Sequence, residues 1–368
     1  GIYEGNRVDS VNRMHFETAK RAIDFYLEHS IDSSSISISF YGGEPLLEFD
    51  LIRKCIDYVN ETVEGKAVRF NLTTNGTLLT GERAKFLAEH SVSIAISLDG
   101  SKKEHDVCRK FPDGTGSFDV IIKNVQDLLR EYPEYTQTSV MFFSTINPYM
   151  DLGCVMEYFS ASEIIDERSV MYNIMADKDL KEEVNYQDSF YQIQKFEYMK
   201  ALLVLAGKLD KKEVDPFART FLEQAKKARR ILHKRMELTP VVHPGGPCMP
   251  GILRLFVRYD GVLFPCERVN ENLDFYRIGS VEDGFDLERM RDILNIGKLT
   301  EEECKSCWNL QRCSICSNEI AFHGKGKPGK KEKLELCREK KRESVGELYE
   351  QSVLKEFGYK TETEAVRR

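Results

Sequence analysis

The chain of 368 residues is 41% hydrophobic and 31% charged, with a formal net charge of −7. That length allows two cored domains or one large barrel with an extension, and the acidic balance gives no global pull toward nucleic acid or an anionic membrane. The longest purely apolar stretches, such as 201–206, fall far short of a membrane span, and no secretory signal follows Gly1-Ile2-Tyr3-Glu4, so a cytoplasmic location is expected.

The first half alternates helix and strand. Apolar positions at helical spacing predict a helix over 17–27, and the alternation Ser35-Ile36-Ser37-Ile38-Ser39-Phe40 predicts a strand. Helix 51–59, strand 68–72, helix 82–89, strand 92–96, helix 118–129, strand 138–144, helix 151–159 and strand 169–174 follow in turn. Such alternation implies parallel βαβ units, and about five of them imply an α/β barrel or part of one. Residues 1–175 are therefore expected to form this partial barrel. From 176 the chain turns helical, charged and strand-poor, with helices over 191–206 and 217–235. We read 176–239 as a bridge. Pro240, Pro244, Gly245, Gly246 and Pro247 mark a boundary, and 240–368 form the last domain. It opens with a hairpin over 253–264 turning at Tyr259-Asp260-Gly261, continues as a cysteine-rich loop region, and closes with a polar helix over 338–357. The basic run from Gly324 to Lys331 reads as a solvated loop, with docking of a phosphate or peptide as the alternative.

The ten cysteines are unevenly placed. Cys55, Cys108 and Cys154 stand alone and are read as core or incidental thiols, whereas seven crowd between Cys248 and Cys337. Nothing points to an oxidising compartment, so ligands are a better reading than disulfides. Cys248 is followed by Gly261-x4-Cys266; then come Cys304-x2-Cys307-x5-Cys313-x2-Cys316 and a lone Cys337. Clustered thiolates select zinc or iron–sulfur. Two Cys-x2-Cys pairs resemble a zinc ribbon, but the number is seven and His323 sits off the rhythm. Two four-ligand clusters need eight protein sulfurs, so seven leaves one iron open to another ligand.

Three polar strings follow predicted strands, where barrel enzymes place their sites. They are Tyr41-Gly42-Gly43-Glu44-Pro45, Thr73-Thr74-Asn75-Gly76-Thr77 and Ser97-Leu98-Asp99-Gly100. Paired glycines let backbone approach a ligand closely; a plain turn is the alternative.

These features together resemble radical S-adenosylmethionine (SAM) enzymes with a SPASM domain, most of all the thioether-forming maturases of cysteine-rich ribosomal peptides. The array matches the family pattern at every element but one, since two residues separate Cys313 from Cys316 where the family has three. The resemblance implies a partial (β/α)6 TIM-type barrel, a helical bridge and a SPASM domain. It implies that Cys304, Cys307, Cys313 and Cys337 hold one auxiliary [4Fe–4S] cluster, and that Cys248, Cys266 and Cys316 hold a second with an open iron. It places Gly42, Gly43 and Glu44 at the SAM amino group, Thr74, Asn75, Ser97 and Asp99 around SAM, and Arg109, in His105-Asp106-x2-Arg109, at a carboxylate, for which a planar donor is suited. A surface ion pair is the alternative for Arg109.

The family's Cys-x3-Cys-x2-Cys loop, which holds the SAM-cleaving [4Fe–4S] cluster, is expected before Gly1, with the first strand and any peptide-recognition domain. The implied chemistry is hydrogen abstraction by a 5′-deoxyadenosyl radical. The implied partners are a cysteine-rich precursor peptide with a leader, bound through a thiolate at the open iron, and a low-potential flavodoxin- or ferredoxin-type electron donor. Neither nucleic acid nor membrane is expected. Glu267 stands where sulfatase maturases carry a basic aspartate, so it is either a catalytic base or a surface partner of Arg268. Formylglycine formation by an anaerobic sulfatase maturase is the first alternative. A zinc-ribbon binding module on an inactive barrel is the second.

Overall fold

The computed structural model describes residues 12–175, 185–233, 241, 242, 244, 246, 248–320 and 326–359, without the side chains of 168 and 229–233. The chain divides into two compact units.

The first unit is built on residues 29–175 and 185–223. Five strands form a parallel sheet in chain order: β1 (Ser35–Phe40), β2 (Ala67–Thr74), β3 (Ser93–Ser97), β4 (Val140–Ile146) and β5 (Val170–Ile174). In-order parallel pairing requires a crossover between each pair of strands. The crossovers carry α2 (Phe49–Thr62), α3 (Gly81–Glu89), α4 (Lys102–Cys108), α5 (Phe118–Glu131), α6 (Pro133–Ser139) and α7 (Leu152–Ser160). Central β3 is buried along Ile94, Ala95 and Ile96, as expected of a parallel strand covered on both faces. Ile56, Leu72, Leu87 and Ile121 of this unit are likewise buried. The α/β class and the five strand–helix units follow the sequence pattern.

Short α4 and α6 were not expected. The β4 strand was expected from 138, but α6 runs to Ser139 and the strand begins at Val140. The helices α8 (Asp188–Leu205) and α9 (Pro216–His233) realise the helical segment. A relay of edge-on rings, Phe159–Tyr172–Phe217–Phe221, ties the start of α9 to β5.

The second unit gathers α1 (Phe16–Glu28) and the described residues from 224 onward. Four short antiparallel strands, β6 (Phe256–Val257), β7 (Val262–Phe264), β8 (Gly279–Ser280) and β9 (Gly284–Phe285), pair in sequence order. The expected hairpin is therefore present as β6–β7. Phe25 of α1 meets Phe285 edge-on, with ring centroids 4.9 Å apart, and joins a core of Phe264, Tyr276, Ile278, Ile293, Ile315 and Ile320. So the helix nearest the start of the chain packs with the cysteine-rich segment. The remaining helices are α10 (Leu287–Leu294), α11 (Glu301–Lys305) and α12 (Lys330–Glu356). The basic run falls partly in α12, where Lys330 pairs with Glu303, while Lys327 pairs with Asp292. His323 lies outside the described residues. No helix among the described residues is long and apolar enough to cross a membrane.

Candidate active site and cysteine centres

The three polar strings meet at the C-terminal end of the sheet. Gly42 and Gly43 follow β1 with nothing within 4 Å of where a Cβ would stand, so their backbone faces open space. The Glu44 carboxylate turns inward instead. It accepts from Leu46 N at 3.0 Å, Thr74 Oγ1 at 2.7 Å and Asn75 N at 2.7 Å. One carboxylate thus caps the turn after β1 and pins the end of β2. Thr74 Oγ1 in turn accepts from Gly76 N, and Asn75 Oδ1 accepts from Thr77 N and Oγ1. Asn124 of α5 donates to the Gly76 and Thr77 carbonyls. Gly76 has φ +77°, and a Cβ there would meet Ile96 and Ile121 at 3.1 and 3.2 Å, so glycine lets this turn lie against the core.

After β3, Ser97 is half-buried and Asp99 is buried. Asp99 accepts from Arg109 Nε and Nη2 and from Thr145 N. The carboxylate expected at the cofactor is spent on protein donors, and Arg109, expected at a cofactor carboxylate, is held by Asp99. Burial explains this pairing, because a carboxylate out of water needs a cation and hydrogen bonds. Arg109 remains about a third exposed along its side chain. His105 is fully buried. Its Nδ1 accepts from Asp99 N, its Nε2 faces Ser117 Oγ at 3.0 Å, and Ser117 Oγ donates to the Arg109 carbonyl. Burial lowers the His105 pKa to about 4, and the Arg109 charge adds to this against Asp99 and Asp106. Asp106 Oδ1 accepts from Phe118 N, at the start of α5. The His105–Asp106 string therefore braces Arg109 from behind, a role the sequence reading did not give it.

In the second unit all seven clustered cysteines are half-buried free thiols. Cys304, Cys307, Cys313 and Cys337 line one cavity, together with Asn309, Lys333, Lys340 and Lys341. Cys304 sits on α11, Cys337 on α12, and Cys307 and Cys313 on the loop between. Burial raises the Cys313 and Cys337 thiols, and the charge of Lys333 opposes the rise at both.

The cavity's chemistry fits an anionic cluster. Lys333 is buried to 1% exposure, and its Nζ donates to Thr300 Oγ1. Among the described residues no carboxylate lies within ion-pair distance of it. A buried ammonium is costly without an anion, and thiolates carrying iron–sulfur supply one.

Cys248, Cys266 and Cys316 form a second, electrostatically connected set. Burial raises Cys248 first, with Cys316 and Cys266 adding to it; burial likewise raises Cys266, with Glu267 and Cys316 adding. Glu319 accepts from Cys316 N at 2.7 Å and fixes its loop. Glu267, the expected base, pairs with Arg254 and, at 3.6 Å, with Arg268. The surface pairing foreseen for it is present, reinforced by a second arginine. Of the isolated cysteines, Cys55 is buried, its thiol raised to about 11 by burial, while Cys108 and Cys154 are exposed.

The family model for the radical SAM superfamily matches residues 9–151. A segment of 104 residues is 38% identical to an uncharacterised protein of Methanocaldococcus jannaschii, and covers 28% of this chain and 35% of that protein's length. The cysteine-type anaerobic sulfatase-maturating enzyme of Clostridium novyi is 25% identical over 282 residues, 74% of this chain and 70% of that enzyme. Among solved structures, native anSMEcpe with bound AdoMet is 19% identical with a TM-score of 0.65, over 95% of this chain and 92% of that one. Its form with AdoMet and Kp18Cys peptide gives a TM-score of 0.61, also at 19% identity, over 97% and 94%. These structures share the fold. The superfamily match thus spans β1–β4, and the chain is similar over about three quarters of its length to a cysteine-type anaerobic sulfatase-maturating enzyme.

Proposed function

We propose that the protein is a peptide maturase that forms a thioether between a cysteine sulfur and a carbon of a ribosomally made precursor. The observation that carries this reading is the division of the seven cysteines into four around one cavity and a separate set of three. In it, Cys304, Cys307, Cys313 and Cys337 hold one [4Fe–4S] cluster. Cys248, Cys266 and Cys316 hold another, which lacks a fourth protein thiolate and suits a substrate thiolate. SAM lies at the C-terminal end of the sheet. The open Gly42–Gly43 backbone offers carbonyls to its amino group, Ser97 a hydroxyl, and Arg109 the guanidinium edge that Asp99 does not use. Glu44, Thr74, Asn75 and Asp99 hold those groups in place.

Bound SAM with its reducing cluster supplies hydrogen-atom abstraction; the protein positions and shields that chemistry. The Cys-x3-Cys-x2-Cys ligands of the SAM-cleaving cluster are not among the 368 residues, so the assay uses a chain that includes them. The partners are a cysteine-rich peptide with a leader and a flavodoxin- or ferredoxin-type electron donor.

A second reading, formylglycine formation, is favoured by similarity to a sulfatase-maturating enzyme over 74% of this chain. Against it, Glu267 is engaged by two arginines.

One anaerobic incubation with SAM, reductant and a cysteine-containing precursor separates these readings. A thioether removes two hydrogens, keeps the sulfur and blocks thiol alkylation. Formylglycine from cysteine loses the sulfur and leaves an aldehyde that hydrazides trap. Recovery of the aldehyde overturns the thioether reading, and reconstitution with zinc but no iron overturns both.

A further inference from the structure

Resting on the cluster assignment above, one residue of the four-cysteine cavity has a consequence of its own. Lys333, Cys337, Lys340 and Lys341 lie on α12 at spacings of four, seven and eight residues from Lys333, so they share one face of the helix. Their charges are not equivalent. Lys340 is neutralised by Glu319 at 3.3 Å and Glu343 at 3.2 Å. Lys341 is half-exposed, so solvent screens it. Lys333 is buried, and its ammonium is bonded to Thr300, a neutral residue that is itself fully buried.

An ammonium can only donate, so Thr300 Oγ1 accepts from Lys333. The hydroxyl hydrogen stays available to Cys304 Sγ, 3.3 Å away, and a sulfur held as a cluster thiolate can only accept it. The lysine charge thus reaches the cysteine sulfur through one polarised hydroxyl.

We propose that Lys333, acting directly and through Thr300, is the built-in counter-charge of the cluster on Cys304, Cys307, Cys313 and Cys337, and raises its reduction potential. The reason is electrostatic. Reduction adds a negative charge to an already anionic group, and a fixed cation in a low-dielectric cavity stabilises the reduced form more than the oxidised one. Hydrogen bonds to cluster sulfurs act in the same direction. Lys333 therefore makes this cluster easier to reduce than it would be with a neutral residue at that position.

The test is an EPR-monitored redox titration of the anaerobically reconstituted protein, with iron and sulfide content measured on every variant. The relevant signal is the one that Cys313→Ala abolishes. Lys333→Met should lower its reduction equilibrium by tenfold or more, about 59 mV for a one-electron couple. Thr300→Val should move it the same way by less, and Lys333→Arg should stay near wild type. An unmoved potential in Lys333→Met at full iron content overturns the proposal, as does an equal shift in Lys333→Arg. If Lys333→Met loses this cluster, retention by Lys333→Arg upholds the charge requirement, whereas loss by both shows a packing role and overturns it. A wild-type protein with no cluster at these four cysteines sinks the cluster assignment itself. A normal cluster with an unmoved potential sinks only the role of Lys333.

Discussion

His105 has no exposed surface, and both of its ring nitrogens face partners. Because Asp99 N donates to Nδ1, the proton sits on Nε2 and the ring is neutral. That arrangement predicts a pH dependence. The folded pKa, about 4, lies below the usual 6.5, so between these values the unfolded chain binds more protons and stability falls with falling pH. The contribution is complete above about pH 6.5 and is lost as pH drops toward 4. A shift of that size is worth about 3 kcal/mol. Denaturant melts of wild type and His105→Asn across this range isolate it. The variant should be less stable at neutral pH and show a shallower acid slope; an equal slope in both would exclude His105 as the source. This brace was hard to see in the sequence. His105-Asp106-x2-Arg109 is legible as a motif, but the partner of Arg109 is Asp99, ten residues back on another element. Lys333 was less legible still, because a buried lysine and a surface lysine are the same letter.

At the scale of elements, periodicity carried the larger pieces, and failures track missing apolar rhythm. Strand β1 shows its alternation openly and occupies the expected residues. The buried residues of α4 are Glu104 and His105, both polar, so no apolar stripe announces it. Pro133 at the first turn of α6 is a helix-start signal in the sequence. Helix α12 begins eight residues before the expected 338, because its buried residues, such as Lys333 and Gln351, are polar too. The misplaced start matters, since it put Cys337 in a loop when it belongs to a helix with a defined face. Gly261, by contrast, was legible and has a clear reason. It turns β6 into β7 at φ +84°, and a Cβ there would sit 2.8 Å from Val281 Cγ2. Its carbonyl also accepts from Val281 N at 2.9 Å. Gly261→Ala must adopt a left-handed conformation, costing about 1–2 kcal/mol, and must also displace Val281. It should lower the melting temperature and, because β7 leads directly to Cys266, reduce the iron bound by the three-cysteine set. Full iron at an unchanged melting temperature would show that the turn tolerates a side chain.

At the scale of the whole molecule, the two units obtain their stability differently. The sheet unit buries the apolar side chains of Ile56, Leu72, Ile94, Ile96, Ile121 and Val155 almost completely. Hydrophobic burial of this kind needs no ligand. The cysteine-rich unit has strands of two or three residues and a core that packs around half-buried thiols, with Cys266, Cys313 and Cys337 lying against it. Short strands supply little independent stability. Burial also raises these thiols, so forming thiolates without a metal opposes folding, while a bound cluster returns its binding energy as folding energy. Iron content should therefore act on one unit more than on the other. Calorimetry of the reconstituted protein should show two transitions. Removing iron with chelator and reductant should lower or abolish one of them and leave the other within a few degrees. Mutation sorts the assignment: Leu72→Ala, which opens a cavity beneath the sheet at a cost of about 2–5 kcal/mol, should lower the iron-insensitive transition. A single transition that moves as a whole with iron content would mean that the units unfold together, with the clusters supporting the sheet as well.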